Sequence, residues 1–124
     1  METYHRESAA AREAGITYHL VPVPVWEAAK STEWYTPEAY EADGFIHCTN
    51  GIDQLVDVAT MFYVADDREF RVLVLDVSSI NSDIRYDDDG QLFPHIYGPL
   101  NTSAVVGEFA VSRLDDGTFL SINR

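Results

Sequence analysis

The spacing of apolar residues changes period several times along the 124 residues, and each change marks a predicted element. Ile16–Val21 is a first strand, with Thr17, His19 and Val21 on one face and Tyr18 and Leu20 on the other. Pro22 and Pro24 end it, and Pro24 suits the first turn of a helix carrying Val25, Trp26, Ala28 and Ala29. Lys30–Tyr35 is polar with two aromatics and reads as a loop. Thr36-Pro37-Glu38 then has the cap-then-proline order of a short helix ending near Asp43. Gly44 opens a compact strand at Phe45–Thr49, where Phe45, His47 and Thr49 share a face and Ile46 and Cys48 point away. Ile52, Leu55, Val56, Ala59, Phe62 and Tyr63 recur at helical spacing, so a helix follows, capped by Thr49 or Asn50.

Ala65–Glu69 is a charged turn, and Phe70–Val77 is a strand too continuously apolar to leave one face in water. A connection at Ser78–Asp83 and a short strand at Ile84–Tyr86 lead through the acidic turn Asp87–Gly90 into LFPHIYGPL, Leu92–Leu100. There Pro94, Gly98 and Pro99 frame His95 and Tyr97. Each proline holds the preceding residue extended, so a stiff loop is expected. A helical turn at Asn101–Ala104, a strand at Val105–Arg113, a turn at Asp115–Gly117 and an edge strand at Phe119–Ile122 complete the chain. Residues 1–14 are polar and alanine-rich and read as a frayed helix or loose tail, leaving 15–124 as one domain. Strand, helix, strand, helix and then mostly strands is an α+β order, with an antiparallel core and two to three helices, rather than a doubly wound parallel sheet.

Charge narrows the partners. Asp and Glu number 21 against 8 Lys and Arg, a formal net charge of -13. Such a surface repels phosphate backbones and anionic headgroups, which argues against nucleic-acid and membrane partners and leaves a small-molecule ligand. No apolar run approaches the roughly 20 residues of a bilayer span, and the first residues contain no apolar core of a secretory signal, so a cytoplasmic location is expected. Cys48 stands alone, which rules out an intrachain disulfide and fits a small core residue. His47 and Cys48 are neighbours on a strand and point to opposite faces, and no His-x-x-x-His or Cys-x-x-Cys spacing occurs, so no metal is expected. Oligomeric state is left open.

Candidate chemistry rests on histidine. His5 lies in a polar stretch and is expected to be exposed and idle. His19, His47 and His95 are each embedded in an apolar strand or a Pro/Gly-stiffened segment. An imidazole both donates and accepts hydrogen bonds, which suits a ribose hydroxyl or a phosphate. If the first two strands are neighbours, His19 and His47 line one cleft and His95 lies across from it, with Tyr18, Thr49, Arg85 and Tyr97 as flanking ligand contacts.

Tyr18-His19-Leu20-Val21-Pro22, Trp26-Glu27-Ala28-Ala29, Asp43–Thr49 (DGFIHCT) and Leu92–Leu100 together resemble, in order, the small bacterial family known as domain of unknown function 952. That resemblance implies a fold similar to the ADP-ribosylation fold, a split and bent α+β core that binds NAD in a cleft. It makes His19 the ribose-contacting residue of the first core strand. Ile46-His47-Cys48-Thr49 resembles a strand of the tRNA 2′-phosphotransferase branch, which gives His47 a role in orienting substrate or relaying a proton. His95 would then be a general acid/base beside Tyr97, and Glu108 is the nearest counterpart of the late-strand glutamate used by transferases of this fold. Arg71 and Arg85 lie on expected strands of the core segment, few for a dinucleotide's phosphates. Three functions follow: an ADP-ribosyltransferase-like or phosphotransferase-like enzyme acting on NAD or an ADP-ribosylated small molecule, a non-catalytic small-ligand binder, and a structural or partner-binding domain.

Overall fold

The computed structural model describes residues 2–123. In chain order they form α1 (Glu2–Ala14), β1 (Ile16–Pro22), α2 (Val23–Ala29), β2 (Trp34–Tyr35), α3 (Tyr40–Asp43), β3 (Ile46–His47), α4 (Ile52–Tyr63), β4 (Phe70–Asp76), β5 (Asp83–Tyr86), β6 (Pro94–Tyr97), β7 (Leu100–Asn101), β8 (Val105–Arg113) and β9 (Phe119–Asn123). The result is a small α+β domain with antiparallel sheets. Four strands in the order β1-β4-β8-β9 make the larger sheet, three in the order β3-β6-β5 make a second, and β2 pairs with β7.

Burial explains the layers. One face of the larger sheet contributes Val21, Leu73 and Leu75 to a core closed by Trp26 and Tyr35, by Ile46 and Ile96 of the second sheet, and by Leu100. On the opposite face α4 brings Ala59 and Val56 against Phe70, Phe119, Leu20 and Val111. The apolar stripe of α4 therefore does what its spacing predicts, although Met61 and Phe62 at its far end are 72% and 68% exposed. Among the described residues no helix is long and apolar enough to cross a membrane.

Four local expectations change. Trp34–Tyr35, read as loop, pairs as β2 with Leu100–Asn101. Pro94–Tyr97 is a strand rather than a loop, lying between β3 and β5 with Ile96 opposite both Ile46 and Ile84. A proline can open a strand, and burial of Ile96 against these partners outweighs the local turn signals. The strand expected at Phe45–Thr49 shortens to Ile46–His47, with Thr49 leaving it to bridge Tyr18. Neither Thr49 nor Asn50 caps α4, since Gly51 stands at the cap position.

The cap comes from α1. Glu7 accepts hydrogen bonds from the N–H groups of Asp53 (3.0 Å) and Gln54 (3.3 Å), placing a carboxylate on the positive end of α4. Close by, buried Asn50 donates to the Tyr86 hydroxyl (2.8 Å) and the Gln91 carbonyl (3.2 Å) and accepts from the Thr17 hydroxyl (2.7 Å). Ser8, fully buried, donates to the same Gln91 carbonyl at 2.6 Å. The first residues are thus a regular helix held by polar contacts, with His5 exposed on it.

Candidate functional site: a cleft at the edge of the larger sheet

β1 is an edge strand of the larger sheet, and only β4 lies beside it there. On its other edge Tyr18 exchanges both backbone hydrogen bonds with Thr49, at 3.1 and 2.9 Å. Backbone groups of an antiparallel strand alternate between its two edges. The N–H and C=O of Leu20 therefore face the same way as those of Tyr18, where the second sheet has already diverged. The opening between this edge, α4 and residues 37–43 is a cleft of about 520 Å³, within the ~300–1,000 Å³ range of small-molecule sites.

The cleft has three kinds of surface. Tyr18, Leu20, Val58, Phe62, Tyr63 and Phe70 form apolar and aromatic walls. His19 and Tyr35 supply a polar floor, and His47 and Thr49 border it. Glu38, Asp43, Asp66 and Arg68 make a charged rim.

His19 is 5% exposed and both ring nitrogens are engaged. Nδ1 lies 2.6 Å from the His47 carbonyl oxygen, and Nε2 lies 2.7 Å from the Tyr35 hydroxyl. A carbonyl only accepts, so Nδ1 carries the proton and the Tyr35 hydroxyl donates to Nε2. Burial pushes the His19 pKa down to about 4, against the opposing pull of the His47 carbonyl. His19 is a neutral imidazole of fixed tautomer. Burial likewise raises the Tyr35 hydroxyl above its ordinary range, so it stays protonated and available as the donor.

His47 reaches the same cleft differently from the expectation. The Tyr18–Thr49 bridge sets an antiparallel register in which His19 stands opposite Cys48 and Leu20 opposite His47. The two histidines consequently leave opposite faces. His47 offers its backbone carbonyl to His19 while its ring turns outward to bond Asp43 Oδ2 at 2.9 Å. Thr49, buried beside Tyr18, is part of the cleft through its backbone.

His95 is not across the cleft from His19. It pairs with His47 on one side and Arg85 on the other, all on the outer face of the second sheet, because Ile46, Ile96 and Ile84 occupy the inner one. There His95 Nδ1 donates to Asp87 Oδ2 (2.8 Å), the same oxygen that accepts from the Tyr97 hydroxyl (2.5 Å). Phe45 stacks on the His95 ring at 4.0 Å, and the Arg85 guanidinium lies 4.7 Å over the Tyr97 ring. The His47 and His95 rings are 5.4 Å apart. The Tyr97 hydroxyl, and after it His95, hold the Asp87 carboxyl below the usual range, and the same bond raises the Tyr97 hydroxyl. Tyr18 and Thr49 thus join His19 and His47 at the cleft, whereas His95, Arg85 and Tyr97 form a separate outer cluster meeting them only at the His47 ring.

Glu108 is not in the cleft lining, and its carboxylate pairs with Arg71 at 3.1 Å, as does that of Glu27. Cys48 is fully buried, which raises its thiol far above the range of a reactive thiolate. Among the described residues no group of three or more His, Cys, Asp or Glu converges as a metal requires. Sequence reasoning missed Tyr35, Glu38, Asp43, Arg68 and Asp87. A signal existed for one of them, because Asp43 lies four residues before His47. Tyr35 and Arg68 sit in segments that read as loop or turn, Glu38 at an expected helix start, and all three meet the cleft only through the fold.

The solved structures of CC0527 from Caulobacter crescentus are similar over most of their length. Its crystal structure gives a TM-score of 0.70 at 25% identity, covering 85% of this chain and 93% of that one. Its solution NMR structure gives 0.65 at 25% identity, covering 83% and 90%. Comparison with curated proteins returns no match. The family profile described as "Protein of unknown function (DUF952)" matches residues 20–108, from inside β1 to inside β8. The chain belongs to that family.

Proposed function

We propose that this protein binds a small ligand of the nucleoside class in the cleft beside β1, on a scaffold of the ADP-ribosylation type. The observation that carries this is the open edge at Leu20. One residue there turns an N–H and a C=O toward an aromatic-walled cleft, directly after the neutral His19–Tyr35 pair. A planar carboxamide is complementary to that pair of backbone groups, since it accepts from one and donates to the other. Tyr35 donates to His19 and keeps lone pairs that accept from a sugar hydroxyl. The division into two sheets joined at the Tyr18–Thr49 bridge fits the split core implied by the sequence resemblance.

Charge separates the nucleoside from the dinucleotide. Three rim carboxylates face one guanidinium, and that guanidinium is already paired. A neutral or cationic head such as nicotinamide riboside suits this rim, and the pyrophosphate of NAD does not. With both nitrogens of His19 committed and Glu108 tied to Arg71, binding is favoured over ADP-ribosyl transfer.

Thermal denaturation with nicotinamide, nicotinamide riboside, ADP-ribose and NAD tests the proposal. A ligand at about 100 times its dissociation constant adds about 2.7 kcal/mol of stability. The expected order places nicotinamide riboside first and NAD and ADP-ribose well behind. No shift with any of the four, or a shift surviving a bulky Leu20→Trp change, overturns it.

A further inference from the structure

Arg68 lies at the mouth of the cleft, and its arrangement has the form of an occupied anion site. Its guanidinium takes the Glu38 carboxylate in two-point contact, NH1 to Oε2 at 3.2 Å and NH2 to Oε1 at 2.9 Å. That fork geometry is the one an arginine offers to a carboxylate or phosphate of a ligand. Glu38 stands just before α3 and Arg68 in the turn after α4, so their pairing links two segments that line the cleft. Arg68 does not depend on Glu38 for its position. Asp66, two residues away, bonds its backbone N–H (3.1 Å), its Nε (3.1 Å) and its NH2 (2.7 Å). Glu38 is held far less firmly, with a side chain 59% exposed and the exposed pair with Arg68 as its contact.

From this we infer that Glu38 is an internal competitor for Arg68, and that the cleft accepts a ligand carrying a single anionic group, a phosphate monoester or a carboxylate, which displaces Glu38 from the guanidinium. The inference rests on the nucleoside reading of the same cleft and extends it to a mononucleotide-type ligand. One guanidinium anchored by Asp66 serves one anionic group, and neither His19 nor Tyr35 at the other end offers a second cation.

Two probes that differ only in the anion decide it: nicotinamide riboside and nicotinamide mononucleotide. Their dissociation constants are measured by calorimetry on the wild type, Glu38→Gln and the double variant Glu38→Gln/Arg68→Gln. Glu38→Gln keeps the side chain's shape and removes its charge. It is expected to tighten the mononucleotide about fivefold or more, the factor for a competing exposed ion pair of about 1 kcal/mol, while the cationic riboside, which loses one rim carboxylate, binds no more tightly than to the wild type. The added Arg68→Gln change should abolish the gain. If the riboside binds but Glu38→Gln leaves the mononucleotide unchanged or weaker, this inference fails and the nucleoside reading stands. If neither probe binds any folded variant, as monitored by thermal denaturation, both fail.

Discussion

Acid should destabilise this protein through His19. Packed against Tyr35 and the His47 carbonyl, the imidazole has a pKa of about 4 in the fold, against 6.5 when free. Above about pH 6.5 it is neutral in both folded and unfolded chains, and its contribution is fully present. As the pH falls toward 4, the unfolded chain takes up a proton that the folded one refuses, and stability is lost across that window. At about 1.36 kcal/mol per pKa unit, the loss is about 3 kcal/mol, a large fraction of the ~5–15 kcal/mol that holds a domain together. Urea unfolding at pH 7, 5.5 and 4.5, on the wild type and on His19→Asn, isolates the effect. Asparagine keeps a donor for the His47 carbonyl but does not titrate. Carboxylates held low in the fold, such as Asp66, Asp76 and Asp87, are common to both proteins and cancel in the difference. The wild type should lose about 2 to 3 kcal/mol more than the variant between pH 7 and 4.5. Parallel stability curves for the two proteins would refute the assignment of His19 as a buried neutral imidazole.

Tyr35→Phe keeps the ring edge-on to Trp26 but strips His19 Nε2 of its donor. It should cost about 1–3 kcal/mol in urea unfolding and raise the His19 pKa by NMR titration, because the neutral form loses a bond; an unchanged pKa would contradict the tautomer. Glu7→Ala removes the carboxylate that caps α4 from 46 residues away. A loss of about 1 kcal/mol is expected, and a melting temperature identical to that of the wild type would show that α1 does not support α4.

Elements whose pattern is local were legible in the sequence. The alternation of Thr17, His19 and Val21 puts all three on one face, which the fold buries, and the spacing of α4 predicts the helix whose apolar face packs on Phe70 and Phe119. Long-range pairing hid the rest. Pro94, Gly98 and Pro99 write a loop into LFPHIYGPL, yet Ile96 finds Ile46 and Ile84 on either side and becomes the centre strand of a sheet. Residues 2–14 show no apolar stripe because α1 docks through Ser8, Glu7 and the Asn50 network rather than through a greasy face. Histidine identity was a good pointer to polar clusters, but strand register decided which ones met. A bridge at Tyr18–Thr49 sends the rings of His19 and His47 to opposite faces and leaves His95 with the outer one. His95 is held by the Phe45 ring and the Asp87 carboxylate within a paired strand, not by the expected proline-framed loop.

Amide chemical-shift mapping during titration with nicotinamide riboside tests the central claim most directly, because it reports where a ligand sits as well as whether it binds. Leu20 and Thr49 are expected to move most, with Val58 and Phe62 of α4 following, while Arg85, His95 and Tyr97 on the outer face stay still. Saturating changes confined to the outer cluster, or none at Leu20, would contradict it.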